Sequence, residues 1–149
     1  MVKSFTGARS IEEKQIPKQL LVKDYMTKQL ITFKPEQTID QVVGILIYKN
    51  ISGGPVIDEA NNLIGIISEG DCLKQIIKGK YNNQHNLNGQ VKDHMVKDVK
   101  TLNQNNNIFE AAIAFLEQRL RRFPILENGK LVGQISQRDV MKAMEEVIR

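Results

Sequence analysis

The chain has 149 residues, 41% of them hydrophobic and 26% charged, with a formal net charge of +4. This is the balance of a globular fold, and no apolar run approaches the ~20 residues of a membrane-crossing helix. The single cysteine, Cys72, excludes an internal disulfide and suits a reducing compartment.

Residues 1–20, "MVKSFTGARSIEEKQIPKQL", read as an appended arm. They lack the apolar stretch of a signal peptide, so a cytoplasmic location is expected. From Val22, "VKDYMTKQ" leads to a short extended piece, "LITF". Thr38 with Gln41 three residues on is a capping-box pattern, and Ile39, Val42, Val43, Leu46 and Ile47 then fall on one helical face. "GGPVIDEANNLIGIIS" reads as two strands joined by turn chemistry. A helix follows Ser68, carrying Cys72, Leu73, Ile76 and Ile77. Residues 80–90 are polar and rich in asparagine, a surface linker.

The same order then recurs. Met26 matches Met95 and Pro55 matches Pro124, both at an offset of 69. Gly65 matches Gly133 at 68, because the second turn, "ENGK", is one residue shorter. "VKTL" is the second short strand, and Asn107 with Glu110 repeats the capping pattern. Ile108, Ala111, Ala112, Phe115 and Leu116 line the helix after it. Asn128-Gly129 is a strong hairpin signal, and the last helix carries Val140, Met141, Met144, Val147 and Ile148. The chain is therefore an α/β (α+β) fold of two β-α-β-β-α repeats, 21–79 and 91–149. Halves of about 60 residues are marginal alone. They are expected to pack face to face about a pseudo-twofold axis and share one core.

"GIISEGD" and "GQISQRD" place a serine and an aspartate at the start of the last helix of each repeat. Helix capping accounts for each pair: the serine accepts from an orphan amide and the acid complements the dipole. A helix start also suits anionic ligands, and a carboxylate there can accept hydrogen bonds from ribose hydroxyls. Both roles can hold together.

"DYM" and "DHM", "SGGPVID" and "RRFPILE", and "LIGIISEGD" and "LVGQISQRD" occur in one order, twice, over most of the chain. With these pieces the chain resembles a tandem pair of CBS (cystathionine β-synthase) domains, the Bateman module, here free-standing. The resemblance implies regulation rather than catalysis. It implies reversible binding of AMP, ADP, ATP or S-adenosylmethionine in clefts between the halves. It also implies a homodimer that transmits changes of geometry to an effector protein. Carried residue by residue, it implies one site of Ser68 and Asp71 with Val99, Leu120, Arg121, Arg122 and Arg138. A second site would join Ser136 and Asp139 to Leu30, Ile31, Ile51, Ser52 and Gly53. Three arginines would then favour a phosphorylated ligand at the first site, and the second would be weaker, empty or nucleoside-like.

Other readings stand beside this one. "RLRR", Arg119 to Arg122, also reads as a solvated helix end favouring cations. His85 and His94 are nine residues apart and Cys72 is alone, so no zinc spacing appears. His85 reads as a solvated linker residue, and His94, the counterpart of Tyr25, as a packing residue. No nucleophile motif or P-loop lysine is present, and the chain is not expected to be an enzyme. A ligand-independent dimerisation module, with Leu30, Leu120 and Phe123 filling the clefts, is one alternative. A basic nucleic-acid-associated factor is another.

Overall fold

The computed structural model describes residues 19–82 and 87–148. The proposed arm up to residue 18, and His85 in the linker, lie outside the described residues. After a 3₁₀ turn at Val22–Asp24, the first repeat contains α1 (Ile39–Lys49), β1 (Gly53–Ile57), β2 (Leu63–Ser68) and α2 (Glu69–Tyr81). A short helix, α3 (Val91–His94), opens the second repeat. β3 (Leu102–Asn103), α4 (Ile108–Gln118), β4 (Arg122–Glu127), β5 (Lys130–Ser136) and α5 (Gln137–Ile148) follow. No described helix is long and apolar enough to cross a membrane.

Both first helices start as their sequences dictate. The Gln41 amide donates to Thr38 Oγ1 at 3.2 Å, and the Thr38 amide to Gln41 Oε1 at 2.9 Å. Asn107 and Glu110 form the same reciprocal pair at 2.8 and 2.9 Å. Both helices end on a left-handed residue, Asn50 (φ 53°) and Arg119 (φ 54°).

Each hairpin is antiparallel, with a bulge at Val56/Ile57 in one and Ile125/Leu126 in the other. The preceding short strand adds in parallel. In the second repeat it pairs Leu102 and Asn103 with Ile125 and Leu126, later than the "VKTL" expected. In the first repeat it shrinks to one bridge, Phe33 with Val56. Asn128 and Gly129, at φ 52° and 78°, make the tight turn that only such residues adopt cheaply.

Two apolar clusters form instead of one shared core. One holds Phe33, Ile39, Val42, Leu46, Val56, Ile67, Cys72 and Val91; the other centres on Val22, Ile108, Phe115, Phe123, Ile125 and Ile135. Each cluster borrows from the opposite repeat. Val91 completes the first, and Leu20 and Val22 complete the second. The opening segment of each repeat has crossed over, and its backbone bonds repeat across the pseudo-twofold axis. The Val22 amide donates to Asn106 O and the Val91 amide to Gln37 O, both at 2.9 Å. Thr27 bridges to Gln134 on β5, and Val96 to Ile66 on β2.

The axis itself is tied where the hairpin turns meet. Lys130 Nζ donates to Ala60 O at 2.8 Å and Asn62 Oδ1 at 2.9 Å, and Asn61 Nδ2 to Leu131 O at 3.0 Å. Hydrogen bonds from Asn62 and Ala60, with the Lys130 charge nearby, hold Asp58 below the usual carboxylate range.

Several expected core residues are instead exposed. Ile47 and Leu116 lie about 100° further round their helices than buried Leu46 and Phe115, beyond the reach of the sheet. Leu73, Ile76 and Ile77 on α2, and Met141, Val147 and Ile148 on α5, also face outward, while Cys72, Val140 and Ala143 are buried.

Candidate functional site

The two serine–aspartate pairs sit where β2 enters α2 and β5 enters α5. The Ser68 amide and hydroxyl both donate to Asp71 Oδ2, at 2.9 and 3.0 Å, and the Asp71 amide returns a long 3.4 Å bond to Ser68 Oγ. In the second repeat the Ser136 amide donates to Asp139 Oδ2 at 2.9 Å, and the Asp139 amide to Ser136 Oγ at 3.1 Å. Asp71 is 8% exposed; Asp139 is half-buried.

In both pairs the capping bonds use only Oδ2. Among the described residues Oδ1 has no hydrogen-bond partner, and neither is it sealed from solvent, since no buried side-chain oxygen is left unpaired. Each acid therefore caps its helix with one oxygen and presents the other, with the helix N-terminus behind it.

Backbone pairing decides what surrounds each acid. Gly53 pairs with Ser68, and the Glu69 amide donates to Ser52 O at 2.9 Å. A Cβ on Gly53 would come within 2.6 Å of Ile67 O, and one on Gly54 within 2.8 Å of Ile31 O. Ser52 and Gly53 thus lie beside Ser68 and Glu69 in their own repeat, with the Ile31 carbonyl against the next residue, Gly54. Ile51 is anchored there by its amide bond to Leu46 O, 3.1 Å. A cleft of about 370 Å³ opens beside them, lined by Leu46, Ile47, Asn50, Ile51, Ser52 and Glu69.

The second repeat carries the charge. Arg122 pairs with Ser136, the Gln137 amide donates to Arg121 O at 3.3 Å, and Gln137 Nε2 donates to Leu120 O at 3.0 Å. Arg121, Arg122 and Arg138 are all exposed. No arginine lies within ion-pair distance of either acid among the described residues.

Within each repeat the loop before the hairpin lies against the serine of the motif. Strand pairing sets Arg121 and Arg122 beside Ser136 and Gln137, and Ser52 and Gly53 beside Ser68 and Glu69. The reason is local: the loop before each proline strand is stitched to the serine of the strand it pairs with. Leu30 and Val99 occupy the crossing segments, three residues beyond the Thr27 and Val96 bridges to the opposite repeat.

Sequence reading missed Glu69 and Gln137. They occupy matching positions just after each serine and fasten the loop that faces it, and that matched position was the available signal. It also missed why the motif begins with glycine. Met26 and Thr27 lie on Gly133, and Met95 and Val96 lie on Gly65; a Cβ on Gly133 would stand 2.7 Å from Met26 Sδ and 2.9 Å from Thr27 O. His94 packs as expected, its Nε2 2.7 Å from where a Cβ on Gly89 would stand. No three His, Cys, Asp or Glu side chains converge among the described residues.

Comparison with known proteins identifies the family. A family model described as "CBS domain" matches residues 22–78 and again 91–146. An uncharacterised 17.7 kDa protein of Acidianus ambivalens is 32% identical over 127 residues, 85% of this chain and 74% of its own length. The inosine-5'-monophosphate dehydrogenase of Methanocaldococcus jannaschii is 32% identical over 136 residues, 89% of this chain but 26% of the relative. The chain also spans 42% of an uncharacterised M. jannaschii relative that is 26% identical to it. Among solved structures, CBSX2 from Arabidopsis thaliana superposes with a TM-score of 0.73 at 28% identity, covering 89% of this chain and 99% of that one. A CBSX2 structure in complex with AMP matches equally well, over 87% of this chain. The CBS domain pair of the protein MJ0100, in complex with 5'-methylthioadenosine and S-adenosyl-L-methionine, superposes at 0.68 and 25% identity over 87% and 98%.

Proposed function

The chain belongs to the CBS domain family as a tandem pair, and from that premise we propose that it is a regulatory module that reversibly binds an adenosine nucleotide, AMP, ADP or ATP. The observation that carries the reading is the repeated acid with one capping oxygen and one open oxygen at a helix start. Asp71 and Asp139 each accept ribose hydroxyls through Oδ1, while Ser68 and Ser136 hold the carboxylates in place. The AMP and S-adenosylmethionine complexes of similar CBS pairs support the ligand class.

The two half-sites differ in charge. Arg121, Arg122 and Arg138 beside Asp139 take the phosphates by charge-assisted hydrogen bonds. Ser52, Gly53 and Gly70 offer Asp71 no such charge, so that side holds a nucleoside-like ligand or a weaker one. Leu30, Ile31, Ile51, Val99 and Leu120 supply the apolar contact for the base. Ligand stabilises one arrangement of the two repeats, and a homodimer passes that arrangement to an effector protein. The exposed apolar faces of α1, α2, α4 and α5 support the dimer.

A thermal-shift screen with AMP, ADP, ATP and S-adenosylmethionine tests the reading. It expects a rise in melting temperature with at least one nucleotide, reduced in Asp139→Ala. Indifference to every adenosine compound favours the ligand-independent dimerisation module instead.

A further inference from the structure

The serine corners of the two repeats make the same backbone bonds and part company at one side chain. α1 and α4 end on left-handed Asn50 and Arg119, and Gly53 pairs with Ser68 as Arg122 pairs with Ser136. The Glu69 amide donates to Ser52 O as the Gln137 amide donates to Arg121 O. The residue after the serine therefore holds the same place in both repeats. In the second it is Gln137, whose Nε2 is spent on Leu120 O at 3.0 Å. In the first it is Glu69, and a carboxylate has no proton to give the matching Ile51 carbonyl.

The acid is left over. Among the described residues no hydrogen bond or ion pair takes up the Glu69 carboxylate. Glu69 is exposed and lines the cleft of about 370 Å³ with Asn50, Ile51 and Ser52. The matched positions 50–53 with 69–70 hold one acid and no base, whereas 119–122 with 137–138 hold four arginines and no acid.

We infer that Glu69 sorts ligands by charge at the first-repeat cleft: its carboxylate turns phosphate away and favours an adenosine compound with a positive group at the 5′ position. The inference rests on the proposed adenosine binding and adds the residue that sets selectivity there. Lack of arginines alone would leave this half-site indifferent to the 5′ group. An unpaired acid makes it discriminate, by repelling one class and attracting the other.

Calorimetric titration of the full chain with AMP, adenosine and 5′-amino-5′-deoxyadenosine tests it, because the three run from negative to neutral to positive at the 5′ group. Wild type is titrated first, then Asp139→Asn, which weakens the second half-site while keeping an oxygen for its helix cap. In Asp139→Asn the amino compound is expected to bind more tightly than adenosine, and AMP less tightly. Adding Glu69→Gln should bring the three affinities together, with AMP gaining roughly 3–10-fold and adenosine unchanged. An AMP-to-adenosine ratio that Glu69→Gln leaves unaltered overturns the inference. So does adenosine binding by wild type that Asp139→Asn abolishes, which leaves the proposed nucleotide binding standing at the second repeat alone. Binding of none of the three compounds by wild type overturns both. Circular dichroism confirms folding; should Glu69→Gln misfold, Glu69→Ala takes its place with the same outcomes.

Discussion

Met95 lies against Gly65, and the Val96 carbonyl that follows it would stand only 2.9 Å from a Cβ placed there. Met95 belongs to the second repeat and Gly65 to the first. Met26 and Gly133 make the reciprocal contact. The glycine that opens each Gly-x-x-Ser-x-x-Asp motif therefore serves the joint between repeats, while its serine and aspartate serve the helix start and the open carboxylate oxygen.

Gly65→Ala and Gly133→Ala should each destabilise the fold by roughly 1–3 kcal/mol, the usual range for overpacking against backbone. Urea unfolding should show similar losses for the two, because the contacts are related by the pseudo-twofold axis. A loss confined to one would contradict the reciprocal joint.

Lys130 binds the opposite hairpin turn through Ala60 O and Asn62 Oδ1. Lys130→Met keeps the stem and removes the charge, and should cost about 1 kcal/mol, a typical net value for hydrogen bonding at a partly exposed site. The companion Asn62→Ala should cost less in the Lys130→Met background than in wild type, the difference being the Lys130–Asn62 bond and the remainder the Asn62 Nδ2 bond to Asp58, a double-mutant cycle that isolates the pair.

Arg119 holds a left-handed φ of 54° at the end of α4, a conformation that glycine adopts without penalty. Arg119→Gly should stabilise the chain by roughly 0.5–1 kcal/mol, read as a rise of a few degrees in melting temperature.

Tyr25 donates its hydroxyl to Glu146 Oε2 at 2.7 Å, and that bond, with burial and the acid's charge, pushes its phenol up from 10.0 to about 12. A raised folded pKa adds stability that is complete below the unfolded value and disappears as pH rises through the folded one. Wild type should therefore lose stability relative to Tyr25→Phe between about pH 10 and pH 12. Parallel alkaline melting curves for the two would contradict the tie.

Much of this was legible in the sequence, for particular reasons. The two capping boxes, the Asn128-Gly129 turn and the strand order rest on local chemistry, and local chemistry is written in consecutive residues. Which repeat receives Val22 or Val91 is not, because both halves offer the same pattern and only three-dimensional packing chooses. The site residues suffered the same ambiguity. Ser136 and Arg122 are fourteen residues apart, yet strand register makes them neighbours, and the linear motif alone does not show it. Ile47 and Leu116 satisfy the helical period but sit at the margin of the buried stripe, where the sheet covers only one side.

The proposed phosphate selectivity of the second repeat is the most direct test. Calorimetric titration of AMP and of adenosine into wild type and Arg122→Ala measures it. The account predicts that the variant loses roughly 10–100-fold in AMP affinity, the worth of charge-assisted hydrogen bonds, and keeps its adenosine affinity. Equal AMP binding by wild type and variant, or no AMP binding by wild type, would contradict it.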